Sequence, residues 1–187
     1  MRQLRRCSWC GYDEAYQQYH DTEWGVPCRD DKTLFEFLIL EGAQAGLSWS
    51  TILNRRDGYR TAFSNFDVIM ISKYTQNHIK KLVENKAIIR NKLKIHSVIN
   101  NAKKFIEIQN EFGSFNEYVW SFVNHETVNN KFKNHSDLPS YTVISETLSC
   151  DLKKHGFTFV GPTICYAFMQ AVGMVNDHTV NCFKFSK

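Results

Sequence analysis

"KIHSVINNAKKFIEI", Lys94 to Ile108, is the stretch whose spacing decides the fold class. Apolar residues recur at every third or fourth position in it, namely at Ile95, Val98, Ile99, Ala102, Phe105 and Ile106. This spacing places one apolar stripe along an α-helix and leaves the lysines on the opposite face. The stretch therefore predicts a long amphipathic helix with one buried side.

Helical signals continue on both sides of this stretch. Asp30 or Asp31 can cap a helix that stops near Gly42, and Ser48 can cap the next one. Ser114 can open a helix that follows the long one. Alternating strand patterns are scarce. The sequence predicts an all-α fold of several short helices.

The length and composition suggest a single globular domain over residues 1–187, which could divide into two lobes. A chain of 187 residues is long enough to bury a sizeable core without a covalent or metal staple. No apolar run approaches the roughly 20 residues that span a bilayer, and the N-terminus lacks the apolar core of a signal peptide. We therefore expect a cytoplasmic protein that does not bind membranes.

The net charge is only +4, but the basic residues are unevenly distributed. Between positions 80 and 104 a single acid, Glu84, faces eight basic residues: Lys80, Lys81, Lys86, Arg90, Lys92, Lys94, Lys103 and Lys104. A local basic stripe on a nearly neutral protein is typical of contact with a phosphate backbone, although lysines on a solvated helix face are also common. The stripe makes nucleic acid a candidate partner.

Cysteines and histidines near the two termini suggest a metal site. The six cysteines of such a chain should stay reduced, so a cysteine near a histidine favours a metal ligand over a disulfide. His178 and Cys182 are one helical turn apart, and Cys7, Cys10 and His20 lie near the other end. Spacing alone leaves open whether Cys7 pairs with Cys10 or with His20, or whether these are buried cysteines and hydrogen-bonded histidines.

Aromatic residues are concentrated in the same N-terminal region, and a carboxylate follows them. The rings are those of Trp9, Tyr12, Tyr16, Tyr19, Trp24 and Trp49. They could fill the core, or they could stack a planar base or bind a cation. The predicted helix turns Glu41 toward its apolar side and ends there, where the dipole disfavours an anion. Unless the helix frays before it, Glu41 is a candidate for binding or catalysis.

Six motifs occur in the same order as in a known family. They are "YHDTEWGVP" (19–27), "LEGAQAGLSW" (40–49), "IIRN" (88–91), "WSFVNH" (120–125), "GFTFVGPTICYAFMQAVGMVNDH" (156–178) and the final Cys182. Together they resemble the 3-methyladenine DNA glycosylase I family over about 7–182. The resemblance implies an all-α, helix-hairpin-helix fold in which a zinc site joins the N- and C-terminal segments.

The resemblance also implies which residues hold the metal. Two terminal segments, about 7–20 and 178–182, would share one structural Zn²⁺ per chain. The implied ligands are Cys7, His20, His178 and Cys182, which leaves Cys10 out. With four protein ligands, no coordination position remains for an activated water.

The implied activity is that of a monofunctional base excision repair enzyme. It would flip 3-methyladenine out of alkylated double-stranded DNA and hydrolyse the N-glycosidic bond, releasing the free base and leaving an abasic site. The base pocket carried over from the family comprises Trp9, Tyr16, Tyr19, Trp24, Glu41 and Trp49. Glu41 is also the candidate catalytic residue, with recognition as its main role. We expect the enzyme to act as a monomer.

Two segments are expected to touch DNA. The loop with Gln44, Gly46 and Leu47 resembles the element that fills the vacated stack, with Leu47 as the apolar wedge. The hairpin near 87–94 would bring Arg90, Lys92 and Lys94 to phosphates. This hairpin departs from the usual pattern because "KAIIRNKLKI" contains no glycine.

Two other classes of protein fit part of the pattern. A non-catalytic, zinc-stabilised DNA-binding module would explain the basic stripe and the metal ligands, but it gives no reason for an inward Glu41. A metallohydrolase would use three protein ligands and a zinc-bound water, with Asp177 or Glu23 as its base.

Overall fold

The computed structural model describes residues 4–185, and helices dominate that part of the chain. The α-helices described are α1 (Glu14–Thr22), α2 (Asp31–Gln44), α3 (Trp49–Leu53), α4 (Arg56–Ala62), α5 (Val68–Ser72), α6 (Gln76–Glu84), α7 (Lys92–Phe112), α8 (Phe115–Ser121), α9 (Val143–Lys154) and α10 (Pro162–Ala171). Short 3-10 turns occupy Ser8–Cys10, Ser64–Phe66 and His135–Asp137. None of these described helices combines the length and the apolar character needed to cross a membrane.

The mostly helical fold is confirmed, with one small addition. Strands β1 (Val128–Asn129) and β2 (Val175–Asn176) form a short parallel pair, with Val128 opposite Val175. A pair of two-residue strands is too short to leave an alternating sequence pattern, so periodicity does not reveal it. It ties the segment after α8 to the segment after α10.

Side-chain caps set the starts of the helices as predicted. Asp30, Ser48 and Ser114 each accept a hydrogen bond from the backbone N–H three residues further on. Asp31 is therefore the first residue of α2 and not its cap. Its carboxylate instead accepts hydrogen bonds from backbone N–H groups in the first turn of α8, including that of Phe115 at 2.9 Å. Asp31 thus joins the starts of two helices.

The long helix α7 buries one side in the core, as its periodicity predicts. Ile106, a member of the predicted apolar face, is only half-buried. Ile108, which the spacing does not assign to that face, is fully buried. The buried members of the predicted face are Ile95, Val98, Ile99, Ala102 and Phe105. Phe105 packs edge-on against Phe35 of α2, with ring centroids 5.1 Å apart. Helices α2 and α7 therefore share one core, and α10 also packs on α2.

The N- and C-terminal segments of the described chain lie against each other. The amide of Phe183 donates to the carbonyl of Arg5 at 2.8 Å. Gly173 has a φ of +70°, and a Cβ there would lie 2.4 Å from the carbonyl carbon of Val26. Only glycine permits both this backbone and this approach. The crossing brings His178 and Cys182 close to Cys7 and His20.

Candidate functional site

Four side chains from the two ends of the chain form one buried cluster. The ligand atoms of Cys7, His20, His178 and Cys182 all lie within 4.8 Å of one another. The Sγ of Cys182 is 3.4 Å from Nε2 of His20 and 3.5 Å from Nδ1 of His178. The Sγ of Cys7 is 3.6 Å from the same Nδ1. This cluster could hold a metal ion.

The spacing and the surroundings of the cluster fit a tetrahedral ion. With ligand bonds of about 2.0–2.3 Å, neighbouring ligand atoms of a tetrahedral zinc site lie roughly 3.3–3.8 Å apart. His20 donates through Nδ1 to Asp21 at 2.7 Å, and Arg6 holds that carboxylate at 2.7 Å. His178 donates through Nε2 to the carbonyl of Trp24 at 3.1 Å. Each ring is thus fixed with its other nitrogen facing the cluster, as is usual for metal-bound histidines.

Cys10 lies outside the cluster although its spacing from Cys7 is that of a metal half-site. Its thiol is buried and donates to the carbonyl of Cys7 at 3.1 Å. The structure therefore decides against the pairing of Cys7 with Cys10. All six cysteines are free, and the remaining ones, Cys28, Cys150 and Cys165, lie apart from the metal cluster.

The two acids proposed as the base of a metallohydrolase are occupied elsewhere. Asp177 is buried and accepts hydrogen bonds from Tyr166, Gln170 and Asn130. Glu23 forms an ion pair with Arg56 at 2.7 Å. Both carboxylates already have partners in the fold, which argues against a role for either as the base of a metallohydrolase.

The second feature is a cavity of about 240 Å³ beside the metal cluster. The aromatic and acidic residues predicted as a base pocket all line it: Trp9, Tyr16, Tyr19, Trp24, Glu41 and Trp49. Five further residues line the cavity. Gln44 is predicted only as a DNA contact, and the other four are not predicted from the sequence: His135, Leu138, Ala167 and Gln170. Ala167 and Gln170 are three apart on α10, a helical spacing that could have indicated a shared face. The pair from the 135–138 loop carries no such signal.

The aromatic rings connect the cavity directly to the metal cluster. Trp9 contacts Tyr16, with ring centroids 5.0 Å apart, and it meets Trp24 edge-on at 4.9 Å. Trp24 in turn meets the ring of His178 at 4.7 Å. The wall of the cavity therefore rests on a metal-ligand candidate, and ordering the cluster also orders the wall.

Glu41 is the acidic group of the cavity, and it has no ion-pair or hydrogen-bond partner among the described residues. Helix α2 continues to Gln44, so the alternative that it frays before Glu41 is wrong. The residue is only 5% exposed, and burial raises the pKa of its carboxyl group to about 8. A buried carboxyl group without a partner is costly for a folded protein. It suits a ligand that brings its own N–H donors or a positive charge.

The loop that follows α2 forms one edge of the cavity region. Gly46 has a φ of +77° and is exposed, and the Leu47 side chain is 41% exposed. A second cavity of about 190 Å³, lined partly by this loop, shares Glu41 and Gln44 with the first. The apolar Leu47 is thus presented at the surface next to the cavity.

The predicted phosphate contacts after α6 divide into two groups. Arg90 and Lys92 are exposed where the connection enters α7. Lys94 is buried, and its ammonium group donates to the carbonyls of Ala43 and Ala45, each at 2.7 Å. This placement argues against the predicted contact between Lys94 and DNA phosphate. Lys94 lies two positions after Lys92 on α7, and a step of two positions places side chains on nearly opposite faces of a helix. The Lys94 side chain therefore points toward the unpaired carbonyls at the end of α2.

The chain is similar to known proteins over nearly its whole length. The family model described as methyladenine glycosylase matches residues 9–185. The chain is 46% identical over 179 residues to DNA-3-methyladenine glycosylase 1 of Escherichia coli (strain K12), covering 96% of each chain.

Solved structures show the same fold. A crystal structure of 3-methyladenine DNA glycosylase I has a TM-score of 0.95 and 44% identity, covering 97% of this chain and 100% of that one. A structure describing 3-methyladenine recognition by the Staphylococcus aureus enzyme has a TM-score of 0.95 and 33% identity, covering 98% of both chains. The extent of the match and the shared fold show that the chain belongs to the methyladenine glycosylase family.

Proposed function

We propose that this protein excises 3-methyladenine from alkylated double-stranded DNA in base excision repair. It hydrolyses the N-glycosidic bond, releases the free base and leaves an abasic site. The observation that carries this proposal is the cavity in which Glu41, buried and without a partner, faces a wall of tryptophan and tyrosine rings. A DNA-binding module without catalytic function has no use for such a costly carboxyl group.

The cavity suits a cationic purine that has left the helix. A 3-methylated adenine nucleotide carries a positive charge, which electron-rich rings such as those of Trp9 and Tyr16 attract. The positive charge of the bound base favours the ionised form of Glu41, which then accepts hydrogen bonds from the amine edge of the base, a charge-assisted contact. Flipping the nucleotide out costs a few kcal/mol, and less for a damaged base. Weak pairing in the duplex and strong binding in the cavity therefore select the same base.

The proposed reaction needs little acid–base help from the protein. The C1′–N9 bond breaks with its electron pair going to the base, so the cationic base leaves as a neutral molecule. Water adds its oxygen to C1′ and loses a proton to solvent. Glu41 acts mainly in recognition, and its negative charge also stabilises the developing positive charge of the sugar. No lysine lines the described cavity, which supports hydrolysis without an amine nucleophile and hence a monofunctional enzyme.

The metal of the proposed enzyme is one structural Zn²⁺. Cys7, His20, His178 and Cys182 would hold it, and four protein ligands close the coordination shell. The ion would stabilise the contact between the two ends of the chain by closing a loop of more than 150 residues. Its role is to support Trp9 and Trp24 at the cavity wall.

The proposed DNA-binding face has two parts. The 85–91 connection between α6 and α7 would act as the hairpin, with Arg90 and Lys92 at phosphates. Gln44, Gly46 and Leu47 would occupy the gap left by the flipped nucleotide, with Leu47 as the apolar wedge. One chain carries both parts together with the cavity, which is consistent with action as a monomer.

The proposed activity predicts release of one kind of base. Incubation with methylated duplex DNA should release 3-methyladenine well above the spontaneous rate, measured by chromatography of the freed bases. The same duplex should accumulate abasic sites without strand breaks until alkali is added. Release of no 3-methyladenine by the folded protein would reject the proposed function.

The proposed hairpin contact predicts a change in salt dependence. Lys92→Ala should weaken binding to undamaged duplex and lower the slope of log affinity against log salt by roughly one unit, because one phosphate contact is lost. Lys32→Ala is the matched control, since exposed Lys32 lies at the start of α2, the end of that helix farther from the Gly46 loop. Equal slopes for Lys92→Ala and the unmodified protein would move the DNA-binding face elsewhere.

A further inference from the structure

Lys94 links the proposed hairpin to the loop beside the cavity. It is the third residue of α7, directly after the 85–91 connection. Its Nζ donates to the carbonyl of Ala43 in the last turn of α2 and to that of Ala45, the cap of the same helix. One ammonium group thus spans the point where α2 gives way to the loop containing Gly46.

The surroundings of Lys94 provide acceptors for its ammonium group. The side chain lines a small cavity of about 10 Å³ together with Ile39, Tyr59 and Ile89, so its surroundings are mostly apolar. Its ammonium group meets the C-terminal end of α2, where unpaired carbonyls and the helix dipole favour a positive charge. A lysine that is only 9% exposed is rarely tolerated without such partners. The paired ammonium group therefore has a defined place in the fold.

The loop itself has few other restraints near this point. Backbone bonds run from the amide of Ala45 to Gly42 at 3.4 Å and from the amide of Leu47 to Gln44 at 2.6 Å. The loop contributes to the walls around Glu41 and presents Leu47 at the surface. The two bonds from Lys94 thus hold the path that the chain takes from Glu41 to Leu47.

The 85–91 connection, at the other end of this link, is also held by packing and hydrogen bonds. The side chain of Asn91 caps α7 by accepting the amide of Lys94 at 3.1 Å. The connection packs tightly on α4, because a Cβ on Gly58 would lie 2.4 Å from the carbonyl oxygen of Ala87. The amide of Ile89 also donates to the hydroxyl of Tyr59 at 3.3 Å. A shift of the hairpin on DNA would be transmitted to Lys94.

We propose that Lys94 is a positioning residue for base excision, which holds the Gly46–Leu47 loop in register with the DNA-bound hairpin. The residue touches neither base nor phosphate. Its two bonds align the wedge with the cavity so that a flipped nucleotide meets Glu41 in the reactive position. This inference rests on the proposed glycosylase function.

The test compares Lys94→Met with Lys32→Met in the full-length protein. Methionine keeps much of the aliphatic length and removes the charge, and exposed Lys32, at the far end of α2 and outside the basic stripe, provides the matched control. For Lys94→Met we expect kcat/KM on methylated duplex to fall roughly a hundredfold per folded molecule, the cost of misplacing reacting groups by about 1 Å. Affinity for free 3-methyladenine should change little. Hydrogen exchange at the Leu47 amide should accelerate, and Lys32→Met should match the unmodified protein in every respect.

The results of this test distinguish a failure of the Lys94 inference from a failure of the proposed glycosylase function. Unchanged kcat/KM and unchanged Leu47 exchange in folded Lys94→Met would overturn the inference, as would a loss of stability with normal kcat/KM per folded molecule. If Lys94→Met does not fold, Lys94→Gln, which keeps an N–H donor without the charge, is judged by the same measurements. A failure of the unmodified protein to release base would reject the proposed function, and Leu47 exchange would still decide whether Lys94 holds the loop.

Discussion

Replacing Glu41 by glutamine is expected to weaken the binding of free 3-methyladenine by roughly 10- to 100-fold at about pH 9, where the Glu41 carboxylate is ionised, because a hydrogen bond to a charged group contributes about 1.5–3 kcal/mol. Glutamine has nearly the same shape, so the aromatic wall of the cavity should stay in place. Isothermal titration with the free base measures the effect. Affinity for undamaged duplex should stay nearly the same, since Glu41 lies in the cavity and not at the hairpin.

Base release should fall with base binding in this variant. The loss should be seen in single-turnover measurements on methylated duplex, where product release does not limit the rate. Unaltered affinity for the free base would show that Glu41 does not face it. An equal loss of affinity for undamaged duplex would indicate a general disturbance of the fold.

The same variant makes a prediction about pH and stability that has the opposite sign. Burial raises the pKa of Glu41 to about 8 in the folded protein, from the ordinary value of 4.5. Between these values the folded state keeps a proton that the unfolded state has released, so this group lowers the free energy of unfolding as pH rises. Glutamine does not titrate. Glu41→Gln should therefore gain stability over the unmodified protein from pH 5 to pH 8, by up to a few kcal/mol.

Urea unfolding of both proteins at pH 5 and pH 8 tests this linkage, because other titrating groups contribute equally and cancel in the difference. A stability difference that does not change with pH would mean that the Glu41 carboxyl group is well solvated in the folded state. A variant that is more stable and also less able to bind base would show that the unmodified protein keeps Glu41 for function at a cost in stability.

Removing one of the proposed metal ligands is the second change with a large expected effect. Cys182→Ser should lose the bound metal and lower the melting temperature by roughly 10 °C, taking a loss of about 3–5 kcal/mol at 2–4 °C per kcal/mol for a chain of this size. Hydrogen exchange should increase at both ends of the described chain, because the cluster joins them. Elemental analysis and calorimetry measure the two effects.

Cys10→Ser is the matched control for this variant. The Cys10 thiol donates to the carbonyl of Cys7, a bond that a serine hydroxyl can also make. We expect Cys10→Ser to keep one zinc per chain and most of its stability. Loss of metal from Cys10→Ser would restore the alternative ligand pairing. If Cys182→Ser lost activity while remaining folded at the assay temperature, the purely structural role of the metal would be rejected.

The local features of this fold follow closely from the sequence. The caps at Asp30, Ser48 and Ser114 and the buried stripe of α7 depend on neighbouring residues alone, and the structure confirms them. The long motifs likewise indicate the family, because each preserves several residues in order. Such signals are local in the chain, so they can be detected before any tertiary contact is known.

The sequence by itself determined the helical class, the candidate residues and the family resemblance, since residue type and spacing carry that information. Residue spacing alone could not decide whether Cys7 joins His20 or Cys10; the resemblance implied His20, and the tertiary structure brings these two side chains together because the two chain ends meet there. It also turned Lys94 inward to the end of α2 and left Glu41 buried without a partner. The physical reason is that desolvation and pairing depend on neighbours distant in sequence, which periodicity cannot reveal.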